Sequence, residues 1–247
     1  MPHMPQTSTS SRNHFIDQLR AHLLLRTPWM ILLAGLLLTF YFHNHAEHLQ
    51  QLKLRQAFDF QVAKISDGID NRITGTEQIL HGVAGLFVSS KEVDRKEFST
   101  YFNSLQIDNL HPGIQGIGFA RALTAQELKK HINDVRADGF PDYTVRPAGE
   151  RERYSAIVYL EPFNWRNKRA LGFDMYSEPT RQAAMARARD TGKAAMSGKV
   201  KLVQETDKDV QAGVLLYVPI YIEHAQGFPE PEAKTLLGWA YSPLRMK

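Results

Sequence analysis

Apolar residues fall into three regimes along this chain, and each predicts a different kind of element. The first is the uncharged run WMILLAGLLLTFYF, Trp29 to Phe42, with Leu23 to Leu25 extending the apolar character upstream past Arg26. A bilayer span takes about 20 residues, and a flanking cation such as Arg26 makes up a shortfall by snorkelling. Phe40, Tyr41 and Phe42 suit a membrane interface, and no small-x-small cleavage pattern closes the run. An uncleaved anchor is therefore favoured over a removed signal peptide. The pattern predicts a tail over 1–28 and a transmembrane helix over 29–42, or from 23.

The second regime has helical spacing. No proline occurs from Trp29 to Asn109, and Phe58, Val62, Ile65 and Ile69 step by four and three. After an interruption at Arg72, Thr76, Ile79, Val83 and Leu86 resume the same steps. This predicts an amphipathic stalk helix over 43–88. Its stripe is either a parallel coiled-coil seam between two chains or a face packed on the chain's own domain. Gly68, Gly75, Gly82 and Gly85 lower helix propensity and mark where the helix would loosen.

Short segments make up the third regime, residues 89–247. Asp94 with Glu97 is a capping box for a helix carrying Phe98, Tyr101, Phe102 and Leu105, and Thr124 with Glu127 is another for a helix carrying Leu128, Ile132 and Val135. Strands are predicted at Ile114 to Leu123, Tyr143 to Val145, Ser155 to Leu160, Lys199 to Val203, Val214 to Tyr221 and Thr235 to Tyr241. A further helix starts near Ser177, tolerates Pro179 in its first turn and ends at Gly192. Strands separated by single helices and long loops, without a strict βαβ repeat, give an α+β domain with an antiparallel sheet.

Charge sets the orientation. Arg12, Arg20 and Arg26 precede the apolar run against the single acid Asp17, whereas histidines and Glu47 follow it before Lys53. The positive-inside rule places the N-terminus in the cytoplasm and everything after Phe42 in the periplasm or outside the cell, with the chain in the inner or plasma membrane. The net charge of +4 does not imply nucleic acid, because basic residues are interleaved with acids instead of forming one stripe. The 247 residues contain no cysteine, which excludes disulfides, thiolate metal sites and cysteine nucleophiles.

Enzyme signatures are missing: there is no His-Glu-x-x-His helix and no Gly-x-Ser-x-Gly elbow. Gly192 and Lys193 lack the rest of a phosphate loop, and Gly113 to Gly118 lacks dinucleotide-binding spacing. No catalytic residue, metal site or cofactor is assigned. His43, His45 and His48 are read as interface anchors, Asp134, Asp138 and Asp142 as helix-end and turn residues, and Arg181, Arg187 and Arg189 as a solvated helix face with an anion site as the rival reading.

The stretch YLEPFNWRNKRALGFDMYSEPTRQAAMARARDTGKAAMSGKVKLVQE, Tyr159 to Glu205, followed by GVLLYVPIY, Gly213 to Tyr221, resembles the CHASE domain. That domain is the extracytoplasmic sensor of bacterial histidine kinases, diguanylate cyclases and plant cytokinin receptors. The order of span, long helix, FSTYFNSL helix and GIQGIGFA strand agrees as well, so the resemblance runs from about Phe58 to Tyr241. It implies a PAS-like α+β domain over 89–247, cut short before a second lobe and a second transmembrane helix, a homodimer, and a pocket for an unidentified small molecule. A cytoplasmic kinase or cyclase output would lie beyond this chain. In the cytokinin receptors an aspartate in the block matching GFDMYSE bonds the ligand, which aligns with Asp174, and neighbouring pocket positions fall on Met196 and Thr206. Phe173, Leu215 and Tyr217 are the expected apolar walls. Asp174 has a rival role as a helix cap. The alternatives to a sensor are a membrane-anchored structural or protein-binding ectodomain and, behind it, an anchored hydrolase.

Overall fold

A computed structural model of the chain describes residues 10–107, 114–203, 212–223 and 234–245, and within it the side chains of 10–25, 48 and 49 are not described. The chain divides into two units, Met1–Asp67 and Gly68–Lys247.

In the first unit the described residues are helical throughout, forming most of α1, Ser10–Ser89, with Pro28 inside it. The described large apolar side chains of α1 from Trp29 to Ile69 are exposed, including Phe58, Val62, Ile65 and Ile69. Among the described residues no helix is long and apolar enough to cross a membrane.

The second unit is an α+β domain. After the last turns of α1 come α2 (Arg95–Ser104), β1 (Ile117–Thr124), α3 (Ala125–Ala137), β2 (Arg153–Glu161), α4 (Trp165–Lys168), α5 (Pro179–Thr191), β3 (Ala195–Met196), β4 (Val200–Lys201), β5 (Ala212–Glu223) and β6 (Lys234–Arg245). The strands form one antiparallel sheet in the order β2-β1-β6-β5-β3, with β4 also on β5. The fold class expected from the pattern, α+β with a long helix and an antiparallel sheet, is the one observed.

Local chemistry accounts for the starts and ends of the helices. The Asp94 carboxylate accepts from the Glu97 N–H at 2.7 Å, and the Glu97 carboxylate accepts from the Asp94 N–H at 3.1 Å. At α3 the Glu127 carboxylate accepts from both the N–H and the hydroxyl of Thr124, each at 2.8 Å. Both boxes satisfy N–H groups that a helix start leaves orphaned. Helix α5 is capped by the Glu178 carboxylate, which accepts from Thr180 and Arg181 N–H, and ends on Gly192 in the left-handed region at φ 67°.

Two expected strands need correction. Tyr143 to Val145 is a loop, joined to the sheet region only through a bridge from Arg146 to Phe173. Its alternating side chains, Tyr143 and Val145 inward, bury against Leu123, Val135 and Tyr154 without a strand partner. Of Lys199 to Val203, only Val200 and Lys201 pair, with Gly213 and Ala212 of β5. The short β3 is an addition.

Strand alternation sorts the core onto the two sheet faces. On one face Leu216, Val218, Ile220, Ala240 and Phe119 pack with Leu80, Val83 and Phe87 of α1 and with Phe98 and Phe102 of α2. Phe87 stacks on Phe119 with ring centroids 4.2 Å apart, an arrangement worth about 0.5–1.5 kcal/mol beyond area burial. On the other, Leu215, Tyr217, Trp239 and Tyr241 pack with Met175, Ala184, Met185 and Ala188. The Trp239 indole donates to the Met185 carbonyl at 3.1 Å and so fixes α5 on that face.

Thr76 to Leu86 was one of two places where the α1 stripe had open alternatives. Here the stripe packs on the chain's own domain, with Thr76, Leu80 and Val83 fully buried and Ile79 and Leu86 at the margin. The helix is unbroken through all four glycines.

Candidate functional site

The segment between α4 and α5 carries the aspartate singled out by its sequence block. Phe173 bridges Arg146 and Asp174 bridges Ala156, so residues 172–174 lie alongside β2 before a 3₁₀ turn, Met175–Ser177. The Asp174 side chain is fully buried. Its Oδ1 accepts from the N–H groups of Ser155 at 2.8 Å and Tyr176 at 3.0 Å, and its Oδ2 meets the Arg151 guanidinium at 3.3 Å. Burial raises its pKa, partly offset by the two N–H bonds and by Arg151. Asp174 thus caps the 3₁₀ turn and ties it to β2.

Phe173, Leu215 and Tyr217 belong to one apolar cluster, on the α5 side of the sheet. Tyr217 is fully buried, its hydroxyl 3.4 Å from the Met175 sulfur, and burial pushes its pKa upward. Met196 is next to Leu216 in the β3–β5 pairing but packs with the cluster on the α1 side. Thr206 lies outside the described residues. Three of the six expected pocket residues are therefore brought together, and Asp174 sits beside them with its oxygens committed to protein donors.

A cavity of about 470 Å³ opens beside this cluster. Phe173, Val200, Leu202 and Val203 supply apolar wall, and Arg169, Arg181, Lys199, Lys201 and Glu178 supply charge. Arg181 is the unexpected member. Its side chain is only 4% exposed, whereas a solvated helix face predicts the reverse. One Nη donates to the Lys201 carbonyl at 2.7 Å, the guanidinium lies 4.9 Å from the Phe173 ring centre, and its Nε is 3.7 Å from Glu178. Among the described residues that Nε has no hydrogen-bond partner.

The other two arginines of the group do not converge with it. Arg187 donates to the Met196 carbonyl, and Arg189 pairs with Asp190 at 2.7 Å. Steps of six and eight residues from Arg181 give no signal in the sequence that separates its fate from theirs. Among the described residues no three His, Asp or Glu side chains converge as a metal site. His43 pairs with Glu47 at 3.3 Å on exposed α1 surface.

The geometry is that of a sheet with a charged, partly apolar cavity toward one face and a helix against the other. A comparison with curated proteins gives no match. Residues 91–247 match the family model of the CHASE domain, more than half of the chain, and the chain therefore belongs to the CHASE-domain family, whose domains are non-catalytic extracytoplasmic sensors in signalling receptors.

Proposed function

We propose that this chain senses a small molecule outside the cytoplasm and passes the signal through α1 toward the membrane. One observation carries the reading: the sheet between the cavity-side cluster and α1 is a single layer. Along β5, Leu215 and Tyr217 face the α5 side while Leu216, Val218 and Ile220 face α1, and along β6 Trp239 and Tyr241 oppose Ala240. A ligand that shifts the strands on one side must shift the packing of Leu80, Val83 and Phe87 on the other, because close-packed cores transmit displacement.

The anchor in this reading joins Leu23–Leu25 to Trp29–Phe42, with Arg26 inside it snorkelling to the cytoplasmic interface. The exposed seam of Phe58, Val62, Ile65 and Ile69 pairs with a second copy in parallel, which covers apolar surface that the chain's described residues leave open. Ligand binding acts by preferring one of two arrangements of that dimer. The pocket takes in Phe173, Leu215 and Tyr217, with Asp174, Met196 and Thr206 as the positions supplied by family resemblance. A PAS-like lobe architecture and a cytoplasmic output partner complete the reading.

The test uses the full chain in detergent. Small molecules are screened for a saturable rise in melting temperature, and binders are then added to the Ile69→Cys variant, whose disulfide yield reports the seam. A binder that changes the yield supports the sensor. Saturable binders that leave the yield untouched, at positions along the whole seam, would replace sensing by a passive binding role.

A further inference from the structure

The Arg181 cavity carries a more specific statement about ligand chemistry. A guanidinium this deep in a protein is expensive unless its charge is paired and its N–H groups are bonded. Here one Nη is satisfied by a carbonyl and the charge is paired with Glu178 at 3.7 Å, but among the described residues the Nε has no hydrogen-bond partner, and Glu178 also accepts from two backbone N–H groups of its own helix. Among the described residues four cationic side chains and one carboxylate line the cavity. Arg169 and Lys199 are exposed at its rim, so the charge runs from solvent to the buried Arg181. Phe173, Val200 and Leu202 provide an apolar wall next to that charge.

We propose that this cavity binds a small organic carboxylate, with its anionic head on Arg181 and its carbon skeleton against Phe173, Val200 and Leu202. An arginine fork matches a planar carboxylate, and the apolar wall favours a ligand with a hydrocarbon or aromatic body over a bare inorganic ion. Arg169 and Lys199 draw the anion in, which makes capture faster at low salt. The proposal rests on the sensor reading and names the ligand class for the same pocket region.

The experiment is calorimetric titration of the full chain in detergent with butyrate, benzoate and succinate, against benzamide and inorganic phosphate as controls. At least one carboxylate binds saturably, and benzamide and phosphate do not match it. Arg181→Met weakens that carboxylate by about tenfold or more. Because Arg181→Met also removes the bond to the Lys201 carbonyl and can compromise folding, the double variant Arg169→Gln with Lys199→Gln is measured beside it. That variant changes exposed side chains only and weakens binding in a salt-dependent way. The proposal is overturned if none of the three carboxylates binds, if benzamide or phosphate binds as well, or if the rim variant binds with unchanged affinity. Saturable binding of an uncharged molecule alone would overturn the carboxylate and leave the sensor standing. Carboxylate binding without any change in the Ile69→Cys disulfide yield would do the opposite.

Discussion

Asp174 and His131 show how single buried groups set this domain's stability. Replacing Asp174 by alanine strands the N–H groups of Ser155 and Tyr176 and the charge of Arg151. The expected loss is about 2–4 kcal/mol in chemical denaturation, since each buried unpaired group costs about 1–3 kcal/mol. Asp174→Asn keeps an acceptor for both N–H groups and loses less than half as much. Equal losses for the two would mean that the Arg151 pairing, not the N–H bonds, is what matters. His131 is buried with its Nε2 2.9 Å from the Tyr143 hydroxyl. Burial first, then the charge of Arg121, lowers its pKa from 6.5 to about 4, against a small opposing effect of Asp134. Between those values the unfolded chain binds the proton and the folded chain does not. Stability from this group is therefore complete above pH 6.5 and lost as pH falls toward 4, by about 3 kcal/mol. His131→Gln, which can still bond Tyr143, should flatten urea midpoints across that window. A slope as steep as in the parent would assign the pH dependence elsewhere. At this scale the sequence was only partly legible. The Asp174 block was visible, but which donors its carboxylate would meet depends on Ser155 and Arg151, 19 and 23 residues away, and the burial of Arg181 depends on the Lys201 carbonyl.

Elements whose signals are local came through best. Both capping boxes and the start and end of α5 follow from residues within four positions of each other, so no tertiary information was needed to place them. Strands β1, β2, β5 and β6 were visible because their apolar runs are long, while β3 and β4, two residues each, are made by pairing with β5 and have no pattern of their own. Tyr143 to Val145 alternates like a strand because a loop covering the sheet's end buries every second side chain as well. A close element contact lies at Gly118 of β1, where an added Cβ would come within 2.5 Å of the Tyr241 ring and 2.6 Å of the Tyr159 carbonyl. Gly118→Ala should lower stability by about 1–3 kcal/mol, as overpacking does. A melting temperature unchanged from the parent would show that β1 and β6 can separate at no cost, against the sheet described. That outcome would also weaken the coupling argument, which needs a stiff sheet.

For the molecule as a whole, the seam and the membrane topology decide whether the sensor reading holds. The sequence pattern left the α1 stripe open between self-packing and pairing, and the structure assigns Thr76 to Leu86 to the chain's own core, because Phe98 and Phe102 of α2 and the sheet close over it. Phe58 to Ile69 have no such cover among the described residues. Cysteines at Val62 or Ile69 should therefore crosslink between chains at least severalfold more than one at Lys64, judged by non-reducing gels, and equal yields at all three would remove the seam. The chain has no cysteine of its own, which makes single-cysteine reporters unambiguous. The central claim, an extracytoplasmic sensor domain on a membrane-anchored helix with a cytoplasmic N-terminus, is tested most directly by a membrane-impermeant maleimide added to intact bacterial cells expressing the chain. Lys193→Cys, on exposed domain surface after α5, should label fully in intact cells, and Ser11→Cys only after permeabilisation. Labelling of Lys193→Cys that appears only once the membrane is opened would contradict the account.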